Sequence, residues 1–217
     1  MAPQYKTFAG EIQGKDADLT LYGQWYHFRV SSRAGFVLVG GASSRMGRNK
    51  ALLPYHGSTL AQSVAEVVRA AAGSVALVGG SPGIAAAEIG FVPDLYPGEG
   101  PLGGILSALA DSKADWNLIV ACDMPGLRVD FLRRLLDRAD LEASDAVVPV
   151  GPSGELEPLC TAYHRNSRRG LEAAFDRGVR KIALALAEIR TATWQVPEEL
   201  SCFQNVNTPE DWAAYER

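Results

Sequence analysis

The chain has 217 residues, of which 47% are apolar and 21% are charged, and its formal net charge at pH 7 is −4. This balance is that of an ordinary globular protein and excludes a disordered chain, and the length suits one domain with or without an appendage. The acidic net charge argues against a dedicated nucleic-acid-binding protein, which usually has a basic excess on one face. The acidic net charge is still compatible with binding of a small phosphorylated ligand, because such a ligand needs only a local cluster of positive groups.

Cysteine usage and hydropathy indicate where the protein works. Cys122, Cys160 and Cys202 are widely spaced and form no CxxC pair, which indicates a reducing compartment and argues against a zinc site or a disulfide framework. No apolar run approaches the roughly 18 to 20 residues that a membrane span needs. Residues 1–20 lack the apolar centre of a secretory signal. We therefore expect a cytoplasmic protein that does not act on a membrane.

Residues 1–34 precede the regular pattern of the chain. Within them, LTLYGQWYHFRV (residues 19–30) has an alternating, aromatic character that fits a hairpin, an edge strand or a loosely attached tail. We therefore divide the chain into an N-terminal extension of unknown role, residues 1–34, and one domain that covers residues 35–217.

From residue 35 onwards, short apolar runs alternate with amphipathic segments. The predicted buried strands are residues 36–39 (FVLV), 75–78 (VALV), 118–123 (LIVACD) and 145–150 (DAVVPV). The predicted helices are residues 60–71, 100–111, 128–140 and 167–178. Ser58 or Thr59 is placed to cap the first helix. The alternation predicts an α/β fold: a doubly wound, mostly parallel sheet with helices on both faces.

The loop after the first strand is rich in glycine and positive charge. Such sheets bind ligands outside the carboxyl ends of their strands. Gly40, Gly41 and Gly47 give the backbone freedom to approach a ligand, and Arg45 and Lys50 add charge that suits a phosphate group. An ordinary glycine turn with solvated basic side chains is the alternative. The loop is neither a Walker A loop nor a GxGxxG motif, so it supports neither a P-loop NTPase nor a dehydrogenase.

Asp123 emerges from the third apolar run at the same predicted edge. A carboxylate there suits Mg²⁺, which typically takes one or two carboxylates together with phosphate oxygens of the substrate. A turn or cap role before Pro125 is the alternative. We expect the neighbouring Cys122 to be a small core residue rather than a nucleophile, because no base accompanies it.

Four segments of the chain resemble the MobA-like nucleotidyltransferases, and among them the molybdenum cofactor guanylyltransferases. The segments are LVGGASSRMGRNKALL, PDLYPGEGPLGGILSAL, LIVACDMPGL and FQNVNTPEDW, which follow one another in family order between residues 35 and 217. The resemblance implies a Rossmann-like nucleotidyltransferase fold. Asn49 departs from the family, which usually has aspartate before the lysine. This departure removes a negative charge beside Lys50 and bears on nucleotide affinity rather than on the class of reaction.

The resemblance also implies the roles of individual residues. Its nucleotide-binding positions are Leu38, Val39, Gly40, Gly41, Lys50, Gly79, Asp94 and Asp123. It gives a catalytic role to Arg45, Lys50 and Asp123, with Mg²⁺ bound at Asp123. Asn205 and Asn207 match positions that contact the second substrate or help to hold the metal, whereas Thr208 and Pro209 are typical of a helix start.

Two further pairs are weaker candidates. Gly103 and Gly104 are expected to let the base or the sugar of a nucleotide approach closely. Arg180 and Lys181 either reach a phosphorylated substrate or form part of a solvated helix face.

The implied reaction is in-line attack by a substrate phosphate on the α-phosphorus of a nucleoside triphosphate, with release of pyrophosphate. A phosphate monoester is already ionised near neutral pH, so catalysis needs alignment and electrostatic stabilisation rather than a strong base. The Gly40–Gly41 pair matches the guanylyl branch, whereas cytidylyltransferases usually carry Ala-Ala-Gly there. The implied substrates are therefore GTP and molybdenum-molybdopterin, and the implied protein partners deliver molybdopterin or receive the finished cofactor.

Two alternatives stay open. One is a cytidylyltransferase of the same fold that acts on molybdopterin or on another phosphorylated small molecule. The other is a homologue that binds nucleotides without turning them over.

Overall fold

A computed structural model of the chain describes residues 31–40, 50–85 and 88–203. The strands within these ranges are β1 (Arg33–Leu38), β2 (Pro54–Tyr55), β3 (Ser58–Thr59), β4 (Val75–Val78), β5 (Gly90–Val92), β6 (Trp116–Ala121), β7 (Ala146–Val150), β8 (Cys160–His164) and β9 (Thr191–Gln195). The α-helices are α1 (Leu60–Ala72), α2 (Pro101–Asp111), α3 (Val129–Leu141), α4 (Ser167–Asp176) and α5 (Ile182–Leu186).

One mixed sheet forms the centre of the fold, with the strand order β5-β4-β1-β6-β8-β7-β9. The neighbours β5 and β4, β4 and β1, β1 and β6, and β7 and β9 are parallel. Only β8 runs antiparallel to its two neighbours, β6 and β7. The first residue of β8 therefore lies at the edge where the parallel strands end. The predicted doubly wound, mostly parallel α/β sheet is confirmed.

Helices cover both faces of the sheet because its central strands are apolar on both sides. Helices α1 and α3 pack on one face, and α2, α4 and α5 pack on the other. The side chains of β1 alternate between the two cores: Val37 and Val39 face the first, whereas Phe36 and Leu38 face the second. The whole of β6 is buried, as expected for a parallel strand that is covered on both faces.

All four predicted strands and all four predicted helices are present. The first strand starts at Arg33 rather than Phe36, so Arg33 and Ala34, which we had placed in the N-terminal extension, belong to the sheet. The structure adds β5, β8, β9, the hairpin β2–β3 and α5, which the sequence pattern did not predict. None of the helices within the described ranges is both long enough and apolar enough to cross a membrane.

Helix α1 has defined signals at both ends. Thr59 is the N-cap: its side chain accepts a hydrogen bond from the backbone N–H of Gln62, whose own side chain accepts one from the Thr59 N–H. At the other end Gly73 adopts a left-handed conformation, with φ of 86°, and its N–H donates to the carbonyl of Arg69. The cap predicted at Ser58 or Thr59 is therefore Thr59.

We expect Thr59→Ala to lower the free energy of unfolding by about 1 kcal/mol, because the N–H of Gln62 loses its acceptor. Urea denaturation followed by circular dichroism measures this change. Thr59→Ser is the matched control, since serine keeps the capping hydroxyl, and it should lose much less. Equal losses for both variants would show that the methyl group of Thr59, and not its cap, stabilises the helix.

Candidate active site

Four adjacent strands of the sheet end in residues that the sequence singled out. In the order β5, β4, β1 and β6, the residues at or just beyond their carboxyl ends are Asp94, Gly79, Gly40 and Asp123, and we call these four the strand-end row. Backbone hydrogen bonds tie the row together: the N–H of Gly79 donates to the carbonyl of Val92 at 2.9 Å, and that of Cys122 donates to the carbonyl of Leu38 at 3.2 Å. The topology therefore joins segments that are distant in sequence.

Gly40, Gly79 and Asp94 form one side of the row. Gly79 has a φ of +78°, and a Cβ at this position would lie 3.3 Å from the backbone nitrogen of Gly40 and 3.6 Å from the Cβ of Asp94. A Cβ on Gly40 would lie 3.8 Å from Oδ2 of Asp94. Gly79 is buried and lets the two strand ends pack closely, whereas Gly40 is exposed. The bare backbone of Gly40 therefore lies beside a carboxylate oxygen, which is a surface that hydrogen-bond donors of a ligand can approach.

Two groups hold the carboxylate of Asp94. Its Oδ1 accepts a hydrogen bond from the backbone N–H of Tyr96 at 2.9 Å and lies 3.3 Å from the hydroxyl of Ser107. Ser107 was not among the residues that the sequence singled out. The available signal was a single hydroxyl on the buried side of the apolar helix PLGGILSALAD.

Lys50 and Asp123 form the other side of the site. The Lys50 Nζ lies 3.6 Å from Oδ2 of Asp123, and the two side chains are 15% and 25% exposed. Lys50 begins a short 3-10 helix that the fully buried Ala51 anchors. Asp123 is followed by the buried Met124, whose carbonyl accepts a hydrogen bond from Leu127. The sequence-predicted phosphate and metal residues thus meet as an ion pair.

The chemistry of Asp123 fits a divalent cation. Its carboxylate is a hard oxygen donor, and it is partly exposed at the end of the sheet where the parallel strands end. Among the residues that the structure describes, no group of three or more His, Cys, Asp or Glu side chains is arranged around a common point. A single protein carboxylate is nevertheless a usual arrangement for Mg²⁺ when substrate phosphates complete the coordination.

Cys122 is not an activated nucleophile. Burial, reinforced by the negative charge of Asp123, raises the pKa of its thiol to about 12 despite the nearby Lys50. The thiol therefore stays protonated near neutral pH, and its side chain packs against the apolar core. This agrees with the core role predicted for Cys122.

Only the backbone of Leu38 and Val39 is placed at the carboxyl end of β1, where a ligand could reach it. Both side chains are buried in the cores, on opposite faces of the sheet. Gly103 and Gly104 have a packing role in this structure, and the approach of a base or sugar to them stays a prediction. A Cβ would lie 2.8 Å from the Cβ of Tyr96 at Gly103 and 3.2 Å from Cδ2 of Leu38 at Gly104. These two glycines allow α2 to pack closely.

Arg180 braces the loop that carries Asp94. Its guanidinium pairs with Glu99, stacks 3.8 Å from the ring centroid of Phe175 and donates to the Phe175 carbonyl. The Phe175 ring in turn contacts the ring of Tyr96, with 4.8 Å between centroids. Lys181 is the exposed N-cap residue of α5. In this structure Arg180 is therefore engaged with the protein.

Several predicted residues lie outside the described ranges. These are Gly41, Arg45, Gly47, Asn49, Asn205 and Asn207, together with the helix start at Thr208 and Pro209. Their roles stay predictions.

A cavity of about 500 Å³ opens at the same end of the sheet as the strand-end row. Its lining includes Gly126, which follows Asp123 in the same loop, and Gly151, which follows β7. Glu155, Glu157 and Phe203 also line it. Burial, together with the charge of Glu155, raises the pKa of the Glu157 carboxyl above its ordinary value.

A doubly wound sheet that places glycines, a lysine and carboxylates at the carboxyl ends of its strands has the arrangement typical of ligand-binding α/β enzymes. Comparison with known proteins assigns the chain to the nucleotidyltransferases. The family described as "MobA-like NTP transferase domain" matches residues 35–189. The chain belongs to this family, as the resemblance of its four segments implied.

Individual relatives agree with this assignment. The chain is 33% identical over 192 residues to a "Probable molybdenum cofactor guanylyltransferase" of Bacillus cereus, which covers 84% of the chain and 95% of the relative. A protein of the same description from Bacillus cytotoxicus is 30% identical over 195 residues, with 85% and 96% covered. The solved structure of molybdopterin-guanine dinucleotide biosynthesis protein A from Archaeoglobus fulgidus superposes with a TM-score of 0.72 at 28% identity, and covers 84% of this chain and 96% of that one.

Proposed function

We propose that this nucleotidyltransferase transfers GMP from GTP to the phosphate of molybdenum-molybdopterin and releases pyrophosphate. The observation that carries the proposal is that the Lys50–Asp123 ion pair and the surface formed by Gly40 and Asp94 lie at the same end of the sheet. The first suits a triphosphate and the second suits a nucleoside. The names of the Bacillus relatives and the Gly40–Gly41 pair support GTP as the nucleotide.

Each part of the site has a distinct binding task. The ammonium group of Lys50 is a compact positive charge that stabilises phosphate oxygens. Asp94 directs Oδ2 toward Gly40, where it can accept hydrogen bonds from N–H or O–H groups of the nucleoside. Asp123 would hold Mg²⁺, which when bound offsets negative charge on the phosphate oxygens.

The reaction balances without a general base. An oxygen of the acceptor phosphate forms a bond to the α-phosphorus of GTP, and the bond from that phosphorus to the bridging oxygen breaks. Pyrophosphate leaves with the electron pair of the broken bond. Because the attacking oxygen is already ionised, the protein contributes alignment and charge stabilisation, and Lys50 is placed to stabilise the phosphates.

The cavity beside the Asp123 loop is the site where we propose that the acceptor substrate binds. Its volume of about 500 Å³ lies within the range of small-molecule sites. The carboxylates of Glu155 and Glu157 are acceptors that suit the N–H groups of a pterin ring. Phe203 lines the cavity and is followed in sequence by the segment with Asn205 and Asn207, the residues predicted to contact the second substrate.

The direct test is pyrophosphate release by the full-length protein. The reaction contains Mg²⁺, molybdenum-molybdopterin and one of GTP, CTP or ATP, and a parallel reaction omits the acceptor. We expect release with GTP that depends on the acceptor, together with formation of the guanine dinucleotide detected by mass spectrometry.

The other outcomes separate the alternatives. Release with CTP in place of GTP would assign the chain to a cytidylyl branch. Binding of GTP without release in the presence of acceptor would contradict the proposed transfer and favour a non-catalytic nucleotide-binding protein.

A further inference from the structure

We infer that Ser107 is a positioning residue that holds Asp94 in the orientation required to bind the nucleoside of the nucleotide substrate. This inference rests on the proposed nucleotide-binding role of Asp94. Ser107 lies in the second turn of α2 and has no exposed surface. It therefore acts through Asp94 and not on the substrate.

The hydroxyl of Ser107 connects the helix to the loop that carries Asp94. Its Oγ accepts a hydrogen bond from the backbone N–H of Leu95 at 3.0 Å and lies 3.3 Å from Oδ1 of Asp94. It also lies 2.8 Å from the carbonyl of Gly103, one turn earlier in α2. The hydroxyl proton thus has two acceptors within reach, the Asp94 carboxylate and the Gly103 carbonyl. The hydroxyl oxygen, as an acceptor, holds the backbone N–H of Leu95.

This arrangement differs from that of an ordinary serine in a helix. A helical serine commonly satisfies its hydroxyl with the carbonyl four residues earlier, and Gly103 provides that carbonyl here. The contacts to Leu95 and Asp94 are additional, and they reach another segment of the chain. They fix Oδ1 on the protein side of the carboxylate, which leaves Oδ2 directed at Gly40.

The loop around Asp94 is also packed or paired on its other sides. Gly103 allows Tyr96 to pack against the start of α2, and the Tyr96 ring contacts Phe175. Glu99 is paired with Arg180. With the backbone held in this way, the rotation of the Asp94 carboxylate depends on the partners of Oδ1, which are the Tyr96 N–H and Ser107.

Removal of the Ser107 hydroxyl should therefore weaken binding of the nucleoside part of the nucleotide and leave binding of its phosphates unchanged. In Ser107→Ala the carboxylate of Asp94 keeps only the Tyr96 N–H and becomes freer to rotate. We expect the affinity for GTP to fall roughly five- to thirtyfold, which is less than the roughly 10- to 150-fold range for direct loss of a hydrogen bond to a charged group, because Asp94 itself remains. Tripolyphosphate, which lacks the nucleoside, should bind within about twofold of its original affinity because the Lys50 and Asp123 side of the site is unchanged.

The experiment is calorimetric titration of the full-length protein with GTP, CTP and tripolyphosphate, each with Mg²⁺. The variants are Ser107→Ala, Asp94→Ala and the double variant. We expect Ser107→Ala to weaken the preferred nucleotide selectively and to add less than about twofold in the Asp94→Ala background, because both changes remove the same interaction.

Two further variants keep the test decisive. Ser112→Ala is the matched control. Ser112 is the C-cap residue of α2, at the end of the helix away from Asp94, and its hydroxyl is hydrogen-bonded to Asn117. This variant should bind GTP and tripolyphosphate like the original protein. Ser107→Cys keeps nearly the same volume with a poor hydrogen-bond donor, and it should repeat the selective loss if the alanine variant does not fold.

The outcomes distinguish this inference from the proposed function. If the unmodified protein binds neither GTP nor CTP more tightly than tripolyphosphate, the nucleotide-binding role of the site fails and this inference fails with it. If the unmodified protein binds a nucleotide, two results would overturn this inference alone. One is that Ser107→Ala weakens the binding of nucleotide and of tripolyphosphate equally, and the other is that it adds its full effect to that of Asp94→Ala. Either result would show that Ser107 is a structural residue.

Discussion

Asp123→Ala is expected to lower pyrophosphate release from GTP by about a thousandfold or more while the fold stays intact. A divalent cation bound at this carboxylate contributes several kcal/mol to charge stabilisation, and each 1.36 kcal/mol corresponds to a factor of ten in rate. The side chain is 25% exposed and packs at the end of β6 rather than in its core. Loss of the carboxylate should therefore cost little stability.

The measurement compares pyrophosphate release over a range of Mg²⁺ concentrations with thermal unfolding of the same samples. Asp111→Ala is the matched control, because Asp111 is an exposed carboxylate at the end of α2, away from the strand-end row. A variant lacking Asp123 that retains even a tenth of the original rate, with the original dependence on Mg²⁺, would exclude Asp123 as the metal ligand.

Lys50→Ala is expected to weaken binding of GTP roughly 10- to 150-fold and to leave the binding of guanosine within about twofold. The ammonium group makes charge-assisted contacts with phosphate, which are typically worth about 1.5–3 kcal/mol each, and guanosine carries no phosphate. The variant also leaves Asp123 without this ion-pair partner, but the pair is partly exposed and so contributes only about 0–1 kcal/mol to stability.

Calorimetric titration with GTP, GMP and guanosine at constant ionic strength measures this effect, and salt controls matter because the contact is electrostatic. Lys113→Ala serves as the control for loss of one positive charge, since Lys113 is exposed in the segment that leads into β6, at the opposite edge of the sheet. Equal losses for GTP and guanosine would contradict a phosphate contact by Lys50.

The central part of the fold was predictable because its strands are apolar on both faces. The predicted strand at residues 75–78 coincides with β4, and β6 needed only a small shift of its bounds. The peripheral strands were harder for physical reasons. β9 alternates exposed threonine with half-buried Ala192 and Trp194, and β8 is short and includes the polar Thr161 and His164. No local signal fixes the antiparallel direction of β8.

The site was predictable to the extent that it is built from strand ends. Gly40 and Asp123 follow recognisable strands, so parallel topology alone brings them to one edge. Asp94 follows β5, a strand that the hydrophobic pattern of the sequence did not reveal. The prediction that Asp94 binds the nucleotide therefore depended on the resemblance to the family. Ser107 could not be assigned by either route, because its contact with Asp94 exists only after α2 packs beside β5.

Because β8 is antiparallel to β7, the connection between them lies at the same end of the sheet as the strand-end row. The strand-end row lies at the ends of β5, β4, β1 and β6, whereas the connection from β7 to β8 borders the cavity and has an exposed tip at residues 152–156. Insertions in such a tip are inexpensive, because doubling a loop's length costs only about 0.6 kcal/mol in closure entropy. Where the cavity holds the acceptor as proposed, a longer or altered tip would change which acceptor fits without changing any residue of the strand-end row.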